Sequence, residues 1–216
     1  IHAREWISPA VVTYMLNQIL TNSTYESVLE KMDFYFLPVM NPDGYDYTFT
    51  DGGRLWRKTR SKTDSAVGCL GVDINRNWRF HWNNSAPEKD SNPCSDNYSG
   101  EEPFSEKEVR NAKEKMIASI WNLKAYLSYH SYAQLFLFPW GYTADVINDI
   151  ADLDTVASAA VDAIYTYSGT RYKQQQYCLE SDLGNYGYLL PPTEIIPVGE
   201  ESLRGLLALI DAILKE

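Results

Sequence analysis

Basic residues and long hydrophobic runs are both scarce in this 216-residue sequence. Its 19 lysines and arginines stand against 29 aspartates and glutamates, which gives a formal net charge of −10 at pH 7. Proteins that bind nucleic acids use basic side chains to neutralise phosphates, so this composition argues against a nucleic-acid partner. A membrane-spanning helix needs about 18 or more consecutive apolar residues, and no such run occurs. We therefore expect neither a nucleic-acid partner nor a membrane partner.

Cysteine is scarce as well. Three cysteines are too few for a disulfide scaffold, and none forms the C-x-x-C pair of a zinc knuckle. Cys69 and Cys94 flank a loop rich in small and polar residues that a disulfide could close, and Cys178 is left over. Three N-x-S/T sequons lie in polar, loop-like stretches, where glycans need to be; they begin at Asn22, Asn83 and Asn97. Together these features favour a secreted, extracellular protein.

The pattern of apolar residues predicts alternating helices and strands. Four segments have helical spacing: Ser8–Leu20, Ser105–Trp121, Asp152–Gly169 and Gly199–Leu214. Three short apolar or aromatic runs are typical of strands: Asp33–Val39, Leu123–His130 and Gln134–Trp140. Interleaved helices and strands indicate an α/β fold, a three-layer sandwich with a central mixed, mostly parallel sheet between helices. Length and ordinary composition predict one domain over residues 1–216.

Capping residues support several of these boundaries. Ser8 is a predicted N-cap with proline at the next position, and Ser105 with Glu108 forms the capping-box pattern. Gly169 is placed where a C-cap glycine ends a helix. The stretch "NPDG", residues 41–44, predicts a turn after the first strand.

The first residues, "IHAREW", suggest a metal site. A catalytic zinc ion usually takes three protein ligands, and two of them are often close in sequence. His2 and Glu5 would supply the close pair, and His130, at the end of a predicted strand, would supply the distant ligand. His81 is a rival ligand, but it lies in a loop with no rigid element to place it. Zinc bound there would activate a water molecule near neutral pH.

Arginines in the aperiodic region 45–104 suggest an anion receptor. Such a long loop region in a compact domain is usually functional. The stretch "GRLWRKTR" contains Arg54, Arg57 and Arg60, and "DINRNW" places Arg76 beside Asn75. Most arginines are simply solvated, but a guanidinium flanked by aromatic residues can grip a carboxylate with two bonds. Zinc together with a carboxylate receptor suggests a substrate with a free carboxylate beside a hydrolysable bond.

Six motifs, taken in order, carry a family resemblance. "HAREW", "NPDGY", "RLWRKTRS", "GVDINRNW", "HSYAQLFLFPWGY" and "NYGYLLPPTEIIP" closely resemble the zinc metallocarboxypeptidases of the A/B type and span most of the chain. The resemblance implies one zinc ion and hydrolysis of the C-terminal peptide bond of peptides or proteins by a zinc-activated water. We expect a monomer.

The resemblance also implies roles for individual residues. His2, Glu5 and His130 match the zinc ligands, and Arg57 matches the arginine that polarises the scissile carbonyl. Asn75 and Arg76 match the pair that binds the terminal carboxylate, and Arg4 and Tyr132 match two subsite positions. Cys69 and Cys94 match the family disulfide, and Glu180 matches the general base. Cys178 is then expected to stay free.

The sequence departs from the family pattern around Glu180. The family reads Glu-Leu-Arg-Asp there, whereas this chain reads Glu180-Ser181-Asp182, and a gapless alignment would put Leu179 at the base position. Between Lys173 and Glu180 the family carries a few dozen more residues, including a mobile tyrosine and the floor of the side-chain pocket. The chain also begins one residue before the H-x-x-E site. We interpret it as truncated and internally deleted, with a fold smaller than that of the full family.

These departures leave alternatives to peptidase activity open. A truncated product could bind zinc or peptide C-termini without turnover. A zinc hydrolase acting on another amide is a further alternative, against which the expected carboxylate receptor at Asn75 and Arg76 argues.

Overall fold

The computed structural model describes residues 1–82, 91–175 and 187–215. The chain forms two compact units, which we treat separately. The first comprises Ile1–Trp6 and Val39–His130, and the second comprises Ile7–Pro38 and Ser131–Glu216. The interpretation of residues 1–216 as a single domain stays a prediction. None of the described helices is both long enough and apolar enough to cross a membrane.

The described secondary structure is mainly helical. In chain order the α-helices are α1 (Ile7–Thr21), α2 (Glu26–Leu29), α3 (Pro42–Tyr47), α4 (Lys107–Asn111), α5 (Ile150–Ser168) and α6 (Ile195–Ile213). A π-helical stretch, Ala112–Met116, continues α4. Short 3-10 turns occupy Ser23–Tyr25, Ile74–Arg76, Ile117–Ser119 and Pro192–Glu194. Two strands, β1 (Leu135–Leu137) and β2 (Lys173–Gln175), pair in parallel, with Phe136 opposite Gln174.

The long helices confirm the helical spacing of apolar residues predicted from the sequence, and the predicted capping residues are confirmed only in part. Helices α1, α5 and α6 cover the predicted segments to within a few residues, and Gly169 ends α5 with a left-handed φ of 78°. The capping box is wrong: α4 begins after Glu106, and the Ser105 hydroxyl is bonded to the Glu106 carboxylate instead. The "NPDG" turn is also wrong, because the Asn41 side chain accepts a hydrogen bond from the Gly44 N–H and starts helix α3.

The strand predictions for residues 33–39 and 123–130 are wrong within the described chain. Neither segment lies in a ladder, and of the three predicted strands only the segment containing β1 is confirmed. A strand exists only where a neighbouring backbone accepts and donates its hydrogen bonds, and no described segment pairs with either one. Their large side chains are correspondingly exposed, among them Tyr35, Leu37 and Tyr126.

Helices α1, α5 and α6 form the helical layer of the second unit. Helix α6 packs on both α1 and α5, and α5 also packs on β2. Val11, Met15 and Ile19 of α1 are buried, as are Leu209 and Ile210 of α6. A glycine is needed where α6 meets α1, because a Cβ atom at position 199 would lie 2.6 Å from the Tyr14 ring.

The first unit has a small apolar core beside a buried polar network. Met40, Ile74, Val109 and Ala112 form the core cluster. Asn77 is fully buried, and its amide donates to the Ser99 and Glu102 carbonyls and to the Ser105 hydroxyl. A buried amide whose donors are all satisfied fixes the path of the loops around it. This network holds the chain on either side of the residues that build the candidate site.

The predicted disulfide between Cys69 and Cys94 is present, with a Cα–Cα distance of 5.1 Å. The loop that it closes is also held by Lys58, whose buried ammonium donates to the Pro93 carbonyl at 2.6 Å. Cys178, predicted to be a free thiol, lies outside the described residues.

Removing the disulfide should cost stability without preventing the site residues from meeting. A bond that closes a 25-residue separation contributes roughly 3 kcal/mol in the chain-entropy model. Cys69→Ala/Cys94→Ala should therefore lower the free energy of unfolding by about that amount in denaturant titrations. Cys178→Ala is the matched control and should change little. Mapping of non-reduced peptides checks the pairing, and a Cys178 bridge to either partner would contradict it.

Candidate metal site

Three predicted ligand residues converge in the first unit. His2 Nδ1 lies 2.7 Å from Glu5 Oε1, and His130 Nδ1 lies 3.0 Å from Glu5 Oε2. The Nδ1 atoms of the two histidines are 3.2 Å apart. One nitrogen or oxygen atom from each of the three residues lies within 4.8 Å of the others, and this is the one such group found within residues 1–82, 91–175 and 187–215.

The local backbone explains how two of these residues reach one point. The N–H of Glu5 donates to the carbonyl of His2 at 3.2 Å, which closes a turn and brings the two side chains together. Ala3, buried between them, donates its N–H to the carbonyl of Arg57 at 3.1 Å. His2 and Glu5 are almost completely buried, whereas the His130 side chain keeps 33% of its surface exposed.

The ionisation of the cluster suits a cation. Burial alone would raise the pKa of Glu5, but hydrogen bonds with His130 and His2 outweigh burial and lower the pKa to about 2. Burial lowers the pKa of His130, although the hydrogen bond with Glu5 acts in the opposite direction. At neutral pH the cluster therefore offers an ionised carboxylate and a neutral imidazole, the forms in which these groups bind metals.

Asp73 is the residue that sequence reasoning missed. It is fully buried, and its Oδ1 accepts from His2 Nε2 at 3.1 Å and from the Asn75 N–H at 2.9 Å. Its Oδ2 accepts from Arg57 Nε and Nη2 at 3.1 and 2.8 Å. Burial would raise the pKa of Asp73, but the His2 hydrogen bond and the Arg57 charge hold it well below its usual range.

Asp73 fixes which nitrogen of His2 faces the cluster. His2 Nε2 lies against Asp73 Oδ1, so Nδ1 is the ring nitrogen on the side of Glu5 and His130. Metal-ligating histidines are oriented in this way by an outer carboxylate. His130 has a weaker outer partner, because its Nε2 lies 3.1 Å from the exposed Ser128 hydroxyl. Asp73 is the first residue of the quoted "DINRNW" stretch, but only the folded chain brings it to His2.

Arg57 lies beside the cluster, as expected. Its Nε and Nη2 atoms are bonded to Asp73, and its Nη1 atom lies 4.0 Å from Glu5 Oε1. The side chain is 11% exposed. Asp73 thus binds a histidine of the cluster with one oxygen and the guanidinium with the other, so the two are positioned by a single carboxylate.

Asn75 and Arg76 are presented together on a short turn. They belong to the 3-10 turn Ile74–Arg76, which Asp73 caps by accepting the Asn75 N–H. Asn75 is exposed and Arg76 is half-buried, while Ile74 and Asn77 on either side are anchored in the core. A polar pair on a turn with buried flanks can receive an anion without reorganising the backbone.

The remaining predicted substrate-binding residues lie in different units. Arg4 Nη1 donates to Asp96 Oδ2 at 2.9 Å and to the Leu55 carbonyl at 3.4 Å. Tyr132 belongs to the second unit, where its ring lies 4.7 Å from that of Tyr188.

The other two arginines of the "GRLWRKTR" stretch and His81 contact aromatic rings. The Arg60 guanidinium lies 3.6 Å from the centroid of the Tyr47 ring, and the Arg54 guanidinium lies 3.9 Å from the centroid of a Trp6 ring. The His81 ring packs on Phe80 and is not part of the metal-ligand group. Glu180, the predicted general base, lies outside the described residues.

The donor set fits zinc. Two imidazoles and one carboxylate form a ligand class typical of catalytic zinc sites, which keep a further position open. Calcium and magnesium prefer all-oxygen sites, so the two histidines argue against them. The ring nitrogens of the two histidines also lie close together beside the buried carboxylate of Glu5, and these three groups would hold a cation.

Asp73→Asn should weaken zinc binding while leaving the three ligand residues in place. An amide in place of the carboxylate cannot balance the charge on Arg57 and is a weaker acceptor for His2 Nε2, and loss of an outer partner of this kind typically costs about 10–100-fold in metal affinity. Asp96→Asn, which removes a carboxylate bonded to Arg4 instead, is the matched control. Competition with a chromophoric chelator measures both affinities. Equal losses in the two variants would contradict a positioning role for Asp73.

Comparisons with known proteins point to one family. The family model described as zinc carboxypeptidase matches residues 1–180. Carboxypeptidase B of Astacus astacus is 47% identical over 95% of this chain and 76% of its own length. Carboxypeptidase A2 of Rattus norvegicus is 38% identical over 99% of this chain, but the match covers 57% of the rat protein.

The fold has a close match among solved structures. Bovine thrombin-activatable fibrinolysis inhibitor, solved in complex with tick carboxypeptidase inhibitor, superimposes with a TM-score of 0.89 at 33% identity. That match covers 99% of this chain and 80% of the bovine one, which confirms the α/β fold class. By its sequence, its fold and the extent of the family match, this chain belongs to the zinc carboxypeptidase family.

Proposed function

We propose that this chain hydrolyses the C-terminal peptide bond of peptides and proteins with one zinc ion held by His2, Glu5 and His130. The observation that carries the proposal is the connection through Asp73. Within one unit this carboxylate joins a histidine of the cluster to Arg57 and caps the turn that presents Asn75 and Arg76. One buried residue thereby positions one ligand histidine, the Arg57 guanidinium and the turn that carries Asn75 and Arg76.

The side chains of the protein would bind the substrate and stabilise the negative charge that develops on it. Zinc, when bound, would supply a Lewis acid that polarises a carbonyl and lowers the pKa of a coordinated water to about 7. Asn75 and Arg76 would hold the terminal carboxylate of the substrate, because a guanidinium matches a carboxylate with two parallel hydrogen bonds. Arg57, fixed on Asp73, would stabilise negative charge on the carbonyl oxygen as it develops.

Three further assignments complete the proposal. Glu180 would act as the general base that removes a proton from the attacking water. Arg4 and Tyr132 would contact residues farther along the peptide substrate. We further propose that the protein acts as a monomer outside the cell; the Cys69–Cys94 disulfide supports an oxidising compartment.

A pair of substrates tests the proposed function. A blocked dipeptide with a free C-terminal carboxylate should be hydrolysed in the presence of zinc, and its C-terminal amide should not. Arg76→Gln should raise KM for the free acid, because the receptor loses its charge. Removal of zinc by a chelator should stop hydrolysis, and restored zinc should recover it. Cleavage of acid and amide at equal rates would contradict a carboxypeptidase and favour a hydrolase of another amide.

A second candidate function is zinc-dependent binding of peptide C-termini without turnover. The observation in its favour is the setting of His130. Residues 123–130, which lead to it, pair with no described strand, and its side chain is one-third exposed. A ligand at the end of an unpaired segment is placed less rigidly than His2 or Glu5. Calorimetry with the free-acid peptide separates the two candidates, since this second function predicts zinc-dependent binding with no product.

A further inference from the structure

Two of the three sequons lie in the described residues, and both are arranged to carry a sugar. We propose that Asn22 and Asn97 bear N-linked oligosaccharides, acquired as the chain enters the secretory pathway. The inference concerns a covalent modification and does not depend on turnover. The third sequon, at Asn83, begins outside the described residues.

The modification makes two demands on the acceptor. A bond forms between asparagine Nδ2 and the first sugar carbon, the bond from that carbon to the diphosphate of a lipid-linked oligosaccharide donor breaks, and Nδ2 loses one proton. The acceptor motif requires a hydroxyl two residues later, and the glycan is a bulky surface group. The folded protein must therefore leave the Nδ2 side of the asparagine accessible and tolerate the motif's hydroxyl.

Asn22 meets both demands in the turn after α1. Its Oδ1 accepts the Thr24 N–H at 3.0 Å, which caps the 3-10 turn Ser23–Tyr25. This bond uses the side-chain oxygen, and an N-glycosylated asparagine keeps that oxygen. Ser23 and Thr24 are both exposed, and Asn22 itself is half-buried in this turn of the second unit. Attachment of a sugar would preserve the cap.

Asn97 meets the demands in a different way. Its side chain is exposed, and its backbone N–H donates to the Ser95 hydroxyl at 3.1 Å, so its side chain is not needed for that turn. Ser99, the third residue of the motif, is only 3% exposed, and its hydroxyl has no hydrogen-bond partner among the described residues. A buried hydroxyl without a partner is unfavourable for folding.

The unpartnered Ser99 hydroxyl points to a role before folding. In the folded chain Ser99 contributes through its carbonyl, which accepts from the Asn77 amide at 2.9 Å and from the Trp82 indole at 3.3 Å. Alanine would keep both bonds and remove the orphan hydroxyl. The hydroxyl is, however, what the transfer reaction requires while the chain is still extended. The glycan at Asn97 would then lie next to Asp96, which binds Arg4.

Secretion from eukaryotic cells and peptide mapping test the proposal directly. Enzymatic release of N-glycans in heavy-oxygen water converts each modified asparagine to a labelled aspartate. We expect the label at Asn22 and at Asn97 in secreted wild-type protein. An unlabelled Asn97, or an unlabelled Asn22, in the secreted protein overturns the proposal for that residue.

Two variants distinguish loss of the glycosylation motif from loss of the folded structure. Thr24→Ala should remove the label at Asn22 alone, and Ser99→Ala should remove it at Asn97 alone. Ser99→Ala should not lower the thermal midpoint of the deglycosylated protein and should raise it slightly, because the lost buried hydroxyl has no partner. If Ser99→Ala is not secreted, Asn97→Gln, at an exposed side chain, provides the same test. A label that persists at Asn97 in Ser99→Ala would contradict N-glycosylation through this sequon.

Discussion

Replacing His130 with alanine is expected to lower the affinity for zinc by more than the roughly 100-fold that marks the upper end for loss of an outer partner. The reason is that His130 supplies one of three donor groups, and its Nδ1 atom lies within 3.2 Å of both other ligand residues. Two ligands rarely hold zinc, which takes three protein donors in catalytic sites. Competition with a chromophoric chelator at fixed pH measures the change.

His81→Ala is the matched control for that experiment. It removes the same side chain from a residue that packs on Phe80 and does not belong to the ligand group. Zinc affinity should be unchanged in this variant. Similar losses in both histidine variants would mean that zinc binds elsewhere, and the assignment of His2, Glu5 and His130 would have to be abandoned.

The site could be predicted from sequence to the extent that its residues carry local patterns. His2 and Glu5 are three residues apart, and a single turn brings them together, so their spacing already contained the geometry. His130 was proposed as the distant ligand because it ends a predicted strand, and the family motif supported that assignment. Its predicted strand is not paired in the described chain, so the approach of His130 to His2 and Glu5 does not require that strand.

Asp73 shows what the sequence could not supply. It lies 71 residues from His2, and nothing in "GVDINRNW" alone says that its two oxygens contact different functional groups. The local role of Asp73 as the cap of the following turn was readable, because aspartate is a preferred N-cap. Its bond to His2 is a tertiary contact, and no local pattern encodes such a contact.

Strand pairing failed for a related physical reason. The runs at 33–39 and 123–130 have the aromatic, apolar composition of strands, but the pairing of a strand is a property of its neighbours. The helix predictions were more accurate, because each α-helix satisfies its own backbone hydrogen bonds. The periodicity of α5 and of α6 was therefore enough to place them to within a few residues.

The second large effect that we predict concerns turnover. With a blocked dipeptide, free-acid substrate and saturating zinc, we expect kcat/KM of this chain to be about a hundredfold or more below that of the Astacus astacus carboxypeptidase B. The physical reason is that the residues of the proposed site are held with unequal rigidity. Arg57 is fixed by two bonds to buried Asp73, whereas His130 is one-third exposed at the end of an unpaired segment. A misplacement of about 1 Å between reacting groups can cost about a hundredfold in rate.

Glu180→Gln tests whether the remaining turnover passes through the proposed base. Glutamine keeps the shape of glutamate but cannot accept a proton, so the remaining hydrolysis should disappear while zinc affinity stays unchanged. Glu194→Gln, near the start of α6, is the matched control and should keep the wild-type rate. Hydrolysis that survives Glu180→Gln would show that another group is the base, with the neighbouring position 179 excluded because leucine cannot accept a proton. Turnover equal to that of the Astacus astacus protein, and abolished by Glu180→Gln, would instead show that the base is correctly placed. The exposure of His130 would then be no obstacle, because a bound zinc ion would itself order the unpaired segment.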